Sequence, residues 1–546
     1  MTAKISEDLE ILTYVPELEV SEGDVKLKPD LADRESETLF LFQDVAKGSA
    51  PTTFEEAAKL VGFGKFNILL ISLTVFGIFS HMFESGSVAY ILAAAQCDLS
   101  LSLQQKGYLN SIVFAGMISG SFIWGFLLDV YGRQKLMMIG YLLGASFNFL
   151  GSLSQSFEML LICKFFGGFI IAGPFAAMSA YLSEFHSSEY RNKVQLINGT
   201  LASFAQVMVP LIAWGILPLP IKWSLFDGHV ELHSWNVFLM VTGLVPLIGG
   251  ITFIFLPESP KFLMTSGKND EAMDVLRTVY SWNTGNPPDT FPVKRLVEEK
   301  VKGNTKNRNI LEDIRVGLRT SITLFKPPHL WKFLIITITM TTCLCSLQCL
   351  RQWMPQLFQS IEDYKSINHG NISHICTMLS GLNLERRSND GCSTDVTKSM
   401  VYINAMVGAS FPVVAYFLTG SIINLLGKKK VLIILPGVSV ACIIGLLYWR
   451  EAVYITIFTG VFIACGHVSA YMFLSVIVDT FPTNLRASAL IISPAIGRMG
   501  TVGTNALFPV LFKQSCSVTF IVIGGSMAVC GILNFWLPDT ERKALQ

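Results

Sequence analysis

Long apolar runs recur along almost the whole chain, many of about 20 residues, the length at which a helix crosses a bilayer core. Twelve of them centre near residues 79, 118, 145, 170, 205, 246, 342, 411, 440, 465, 498 and 526. Lipid offers no water to unpaired backbone groups, so each run is predicted to be helical. Composition agrees: 51% of the 546 residues are hydrophobic and 15% are charged, against roughly 25% charged in an ordinary soluble domain. The first run lies behind about 65 polar residues, too deep to be a cleaved signal peptide. An all-α membrane protein with twelve transmembrane helices is expected.

The chain also repeats itself. Gly125, Asp129, Gly132 and Arg133 stand in GFLLDVYGRQK, and Gly420, Asn424, Gly427 and Lys428 stand in GSIINLLGKKK. Glu184 and Arg191 in SEFHSSEYR answer to Asp479 and Arg486 in VDTFPTNLR. Every pair is separated by 295 positions, from 125 to 420 as from 191 to 486. Two signals of different chemistry in one register predict a duplication, hence two six-helix bundles, which is how many secondary transporters are built.

Charge distribution sets the expected orientation. The net charge of +1 gives no bulk attraction to nucleic acid, and no nucleic-acid partner is expected. Basic loops mark the cytosolic side. Arg133 and Lys135, Arg191 and Lys193, the 257–332 segment, Lys428 to Lys430 and Arg486 alternate with loops that carry few Lys or Arg. Both termini are therefore expected in the cytosol, in either the plasma membrane or an intracellular vesicle membrane. The loop at 354–398 is expected outside or in the lumen: it holds the sequon Asn371-Ile372-Ser373, and glycans are added on that side. A Cys376–Cys392 bridge is a candidate there. With Cys97 and Cys516 also predicted outside, three connectivities remain open.

The expected organisation starts with a cytosolic segment over 1–64, mostly disordered, with a short helix near 53–63 opened by the capping box Thr53-Phe54-Glu55-Glu56. An N-terminal bundle follows over 65–256 and a cytosolic linker with short helices over 257–330. A C-terminal bundle covers 331–537, and a cytosolic tail covers 538–546.

At these motifs the chain resembles the major facilitator superfamily. GFLLDVYGRQK resembles the loop between its second and third helices, and LPESPKFL and LPDTE resemble signatures of its sugar and organic-ion branches. The Glu84 segment, YLSEF at 181–185, AWGILP at 213–218 and Trp353-Met354-Pro355 at the end of span seven resemble the synaptic vesicle glycoprotein 2 family. The loop of about 45 residues at 354–398 departs from the large lumenal domain of that family. His81 and Lys164 also depart from it, standing where it carries an Asp and an Arg. The resemblance is to an invertebrate-type relative. It implies that the repeated motifs act as a cytosolic latch, weaker in the second half, where Asn424 replaces a carboxylate.

A substrate site is sought among polar groups inside the spans, because an ionisable group there costs about 2.5–3.5 kcal/mol and usually faces a cavity or a partner. Glu84 and His81 share one face of span one. Lys164, Arg351 and Arg498 are the cations. His467 and Tyr471 form an i, i+4 pair, and Gln206, Gln348 and Asn505 supply hydrogen bonds. Trp214, Trp353 and Tyr471 are candidates to stack on an organic substrate. A protonatable carboxylate is cheaper to bury when neutral, so Glu84, aided by His81, is the expected proton-coupling group. No phosphate-binding loop, HExxH or Gly-x-Ser-x-Gly motif occurs, so neither an enzyme nor a metal site or cofactor is expected. The predicted function is secondary transport of a small organic ion or zwitterion by a monomer. The alternative is a transporter-shaped membrane protein that binds a ligand or partner without moving it.

Overall fold

The structure, a computed structural model, describes residues 52–225, 227, 230–297, 322–379 and 395–537. Its elements in chain order begin with the short helix α1 (Phe54–Val61), then α2 (Lys65–Ala94), α3 (Leu103–Tyr131), α4 (Arg133–Ser152), α5 (Phe157–Glu184) and α6 (Ser188–Ile216). A hairpin, β1 (Lys222–Leu225) and β2 (Val230–His233), leads to α7 (Ser234–Phe255) and the short α8 (Pro260–Thr265) and α9 (Asn269–Thr284). The second half holds α10 (Leu330–Ile367), α11 (Ile375–Met378), α12 (Ser399–Leu426), α13 (Lys428–Tyr448), α14 (Ala452–Thr480), α15 (Thr483–Gln514) and α16 (Cys516–Leu533).

Twelve of these helices, among the described residues, are at least 18 residues long, and each contains one expected span centre. Nine of them are long and apolar enough to cross a membrane. The other three are α3, α4 and α15, which place some of their polar residues on neighbouring helices. Ser111 of α3 donates to the Val502 carbonyl of α15 at 3.1 Å, and Asn148 of α4 is buried.

The long helices alternate in direction. One face, here called basal, carries α1, α8, α9 and the α3–α4 and α12–α13 turns; the distal face carries the hairpin and α11. Each half has its own hydrophobic core, one running from Phe54 to Leu296 and joined by Tyr402 of the second half, the other from Leu324 to Leu537 with Tyr90 of the first half packed against it. At the basal turns, Gly132 (φ 97°) ends α3 and starts α4, and Gly427 (φ 82°) does the same for α12 and α13. Both angles lie where a side chain is strained. The 295-residue repeat thus appears as one elbow built twice. The glycines one helical stretch earlier do something else, since Gly125 and Gly420 have nothing within 4 Å of where a Cβ would stand.

Two expectations differ from the structure. α10 runs to Ile367, so Trp353-Met354-Pro355 lies inside that helix and the loop after it begins at 368. Leu357, Phe358 and Ile361 stay buried beyond Pro355, and that packing outweighs one lost backbone bond. The β1–β2 hairpin, pairing Lys222 with His233 and Leu225 with Val230, was not anticipated. The capping box does form: Thr53 accepts from Glu56 N and the Glu56 carboxylate accepts from Thr53 N.

Candidate functional site

Glu84 sits in the middle of α2, 4% exposed, and its charge is answered inside the same bundle. Lys164 of α5, 1% exposed, holds both carboxylate oxygens at 3.4 Å. Asn148 of α4 completes a triangle, donating to Glu84 Oε2 at 2.7 Å and accepting from Lys164 Nζ at 2.8 Å. A buried ion pair holds only when its remaining hydrogen-bonding sites are filled, and the amide of Asn148 fills one on each partner. Gly167 makes the room: a Cβ there would overlap the Glu84 carboxylate. His81, although three residues from Glu84, stacks on Phe175 with ring centroids 3.7 Å apart and leaves Nδ1 unpartnered.

A cavity of about 30 Å³ lies between the two bundles, lined by Met82, Tyr90, Gln206, Arg351, Gln352 and Ile463 among others. That is room for one or two waters; an organic solute needs the bundles to separate further. Arg351 projects into it from α10, its Nε donating to Gln348 Oε1 at 2.8 Å. Arg498 of α15 touches Ser121 Oγ at 3.5 Å. His467 is half-buried, its Nε2 atom buried and unpartnered, while Tyr471 packs edge-on against Tyr416. Asn505 donates to the Thr501 carbonyl of its own helix at 3.0 Å.

The structure does not gather every candidate. Trp353 is fully buried and stacks on Phe508 at 4.3 Å, so it packs α10 against α15. Trp214 is 38% exposed near the distal end of α6. Gln206, Gln348 and Arg351 belong to the cavity region; Glu84 and Lys164 form a separate buried pair beside it. Asn148, Gly167, Tyr90 and Gln352 were not singled out from sequence. For Asn148 the available signal was a lone amide in an otherwise apolar run.

Four of the repeated positions meet at the basal face. Arg133 pairs with Glu184 at 2.9 Å, and Lys428 pairs with Asp479 at 2.7 Å, so the same two positions in each half form the same ion pair. In the first half Glu258 adds a cap, accepting from the backbone N–H groups of Arg133 and Gln134 at 3.0 and 3.1 Å, as suits a carboxylate at a helix N-terminus. Ser259 donates to Glu184 at 2.5 Å. Arg191 reaches Glu55 of α1 at 3.1 Å, and Arg486 has a buried Nε with no partner. The side chains of Asp129 and Asn424 lie outside the described residues.

Hydrogen bonds between the two bundles are unevenly placed. Lys106 of α3 donates to Gln356 of α10 at 3.1 Å and to Gln96 at 2.8 Å. Gln104 donates to the Ala506 carbonyl, Ser111 to that of Val502, and Gln352 to that of Ser85. These four crossings lie in the distal half; the fifth among the described residues, Arg498 to Ser121, is at mid-depth. On the distal face the Cys376–Cys392 bridge expected from sequence is corrected: Cys376 is bonded to Cys516, with the Cα atoms 5.6 Å apart. The partner 140 residues away is brought beside α11 by the start of α16, which nearness in sequence does not reveal. Cys392 lies outside the described residues, and Cys97 is also disulfide-bonded. Asn371 is exposed.

Two helical bundles around a central polar cavity, with an ion pair repeated at one face, define a multi-span membrane transporter. The chain belongs to the Major Facilitator Superfamily, whose sequence model matches residues 74–384. It is 24% identical to synaptic vesicle glycoprotein 2B of Rattus norvegicus over 89% of this chain and 85% of that one. It is 32% identical to synaptic vesicle glycoprotein 2A of Bos taurus over 44% and 33%. Among solved structures, the partially occluded inward-open xylose transporter XylE of E. coli aligns with a TM-score of 0.61 at 12% identity, covering 87% of this chain and 98% of that one. A point mutant of the nucleoside transporter NupG aligns at 0.58 and 12%, covering 86% and 99%.

Proposed function

We propose that this protein is a secondary active carrier of a small organic solute, working as a monomer by alternating access and coupled to protons. One observation carries the reading: a central cavity lined by Arg351, Gln206, Gln352 and Tyr90 among apolar residues lies beneath inter-bundle hydrogen bonds that, among the described residues, fall in the distal half and at mid-depth. Hydrogen bonds grouped toward one side suit a pair of bundles that rock about a central site. The repeated basal ion pairs, with Asp129 and Arg191 beside the first and Asn424 and Arg486 beside the second, act in this reading as the latch that closes when the distal side opens. Glu84 is the coupling group: protonation removes its charge, and the pair with Lys164 then loses its attraction. Both termini and the basal face are cytosolic, and Asn371 is glycosylated on the opposite side.

Uptake into liposomes by the purified protein tests this, using labelled organic ions and neutral solutes with and without an inward proton gradient. Saturable uptake stimulated by the gradient in the wild type, and lost with its pH response in Glu84→Gln, is the expected result. Uptake insensitive to the gradient in both proteins removes Glu84 from coupling. Binding without uptake returns the chain to a ligand-binding membrane protein.

A further inference from the structure

The charges at the cavity do not balance. Arg351 lines it from α10; Arg498 of α15 lies outside the lining but close enough for both guanidiniums to act on His81, and neither has an Asp or Glu within ion-pair distance among the described residues. Among those residues, both terminal nitrogens of Arg351 are left without a hydrogen-bond partner, as are Nε and one terminal nitrogen of Arg498. The titratable groups close enough to act on these guanidiniums are Tyr90, His81 and His467, none of which carries negative charge at neutral pH. Glu84 does not compensate them, because both its oxygens are held by Lys164 and one also by Asn148. An ionised group inside a membrane protein is normally paired or serves a site. Here one lines the cavity and a second of the same sign lies near it, both with donors unused among the described residues.

We propose that the solute is an organic anion, whose carboxylate or comparable oxyanion is received by Arg351 and Arg498 while its carbon skeleton lies against Tyr90, Met82 and Ile463. The proposal rests on the carrier reading for its biological use, but the binding itself does not depend on transport. Guanidinium forks match planar oxyanions with paired hydrogen bonds. Tyr90 and the flexible Met82 offer an apolar wall of adaptable shape. A cation entering the same cavity meets Arg351 with Arg498 near it and, among the described lining residues, no carboxylate, so the sign of the solute is selected by repulsion as well as attraction.

The test uses the full chain in detergent and in liposomes. Ligand-induced thermal stabilisation is measured with sets of matched shape and different charge: benzoate, benzamide and benzamidine, then the carboxylate, amide and amine forms of naphthyl and short aliphatic compounds. At least one carboxylate should stabilise the wild type saturably while its amide and amine partners do not. Arg351→Gln and Arg498→Gln should each weaken that binding by about tenfold or more, as loss of a charge-assisted bond predicts. Arg→Lys at either position should recover part of it, which separates lost charge from misfolding. Stabilisation by the cationic members, by no member of any set, or undiminished in the double Gln variant overturns the proposal. Binding of anions without uptake sinks the carrier reading and leaves the anion assignment standing; uptake of cations does the reverse.

Discussion

Glu84 depends on partners from two other helices, and that dependence can be measured. Removing one member of a buried pair leaves the other charged and unpaired, which costs about 3–5 kcal/mol. Glu84→Gln should therefore unfold at markedly lower temperature than the wild type, and Glu84→Gln with Lys164→Met should regain much of the loss. A double variant no more stable than the single one would mean that the pair does not act as a unit. Gly167→Ala should lower stability by a related route, since the added methyl group overlaps the Glu84 carboxylate. Glu84 and Lys164 were both legible in the sequence, because charge within an apolar run is expensive wherever it falls. Their pairing was not, since it needs residues 84, 148 and 164 at one depth on three helices, and spacing along one helix says nothing of that. The i, i+3 spacing of His81 and Glu84 misled for the same reason: Phe175, from another helix, takes the imidazole.

Elements show the duplication most directly. The Gly132 and Gly427 elbows both require positive φ, so Gly132→Ala and Gly427→Ala should each cost about 1–3 kcal/mol in backbone strain, read as a fall in unfolding temperature. Gly132→Ala also drives a Cβ into the Glu258 carboxylate and so disturbs the cap on α4. Helix α1 is fastened through Glu55, which accepts from Ser188 N at 2.5 Å and from Arg191 at 3.1 Å. Burial raises the Glu55 pKa, but the Ser188 and Arg191 interactions outweigh it and hold the carboxyl below its ordinary range. A depressed folded pKa contributes fully above the unfolded value and is lost as pH falls through the folded one. Limited proteolysis near 52–64 should accordingly speed up under acid and, at neutral pH, in Glu55→Gln. Most of the helices were legible, because each long apolar run has one permitted structure in lipid. The length of α10 was not: Pro355 reads as an end, and only the packing of the residues after it shows that the helix continues.

At the scale of the whole molecule, four of the five hydrogen bonds that join the two bundles among the described residues lie in the distal half. Lys106, 3% exposed, is bonded to two amide oxygens, one of them across the interface. A charge-assisted bond is worth about 1.5–3 kcal/mol, so Lys106→Met should shift the balance towards a distally open arrangement by roughly tenfold or more. Spin labels on Leu219 and Glu451, exposed at the distal ends of opposite bundles, should report a new longer-distance population; an unchanged distribution would deny Lys106 that role. Peptide mapping without reduction should recover Cys376 joined to Cys516. That bridge belongs to one of the three connectivities the sequence left open; the distal hydrogen bonds were not legible, because they join residues up to 402 positions apart whose types are ordinary for helix ends. The distal seal also has a pharmacological side. A compound applied from that side meets Lys106, Gln356 and their neighbours already bonded to one another, so impermeant inhibitors screened there will select molecules that never saw this state. A compound meant to hold the form described here has to enter by a route other than the distal face.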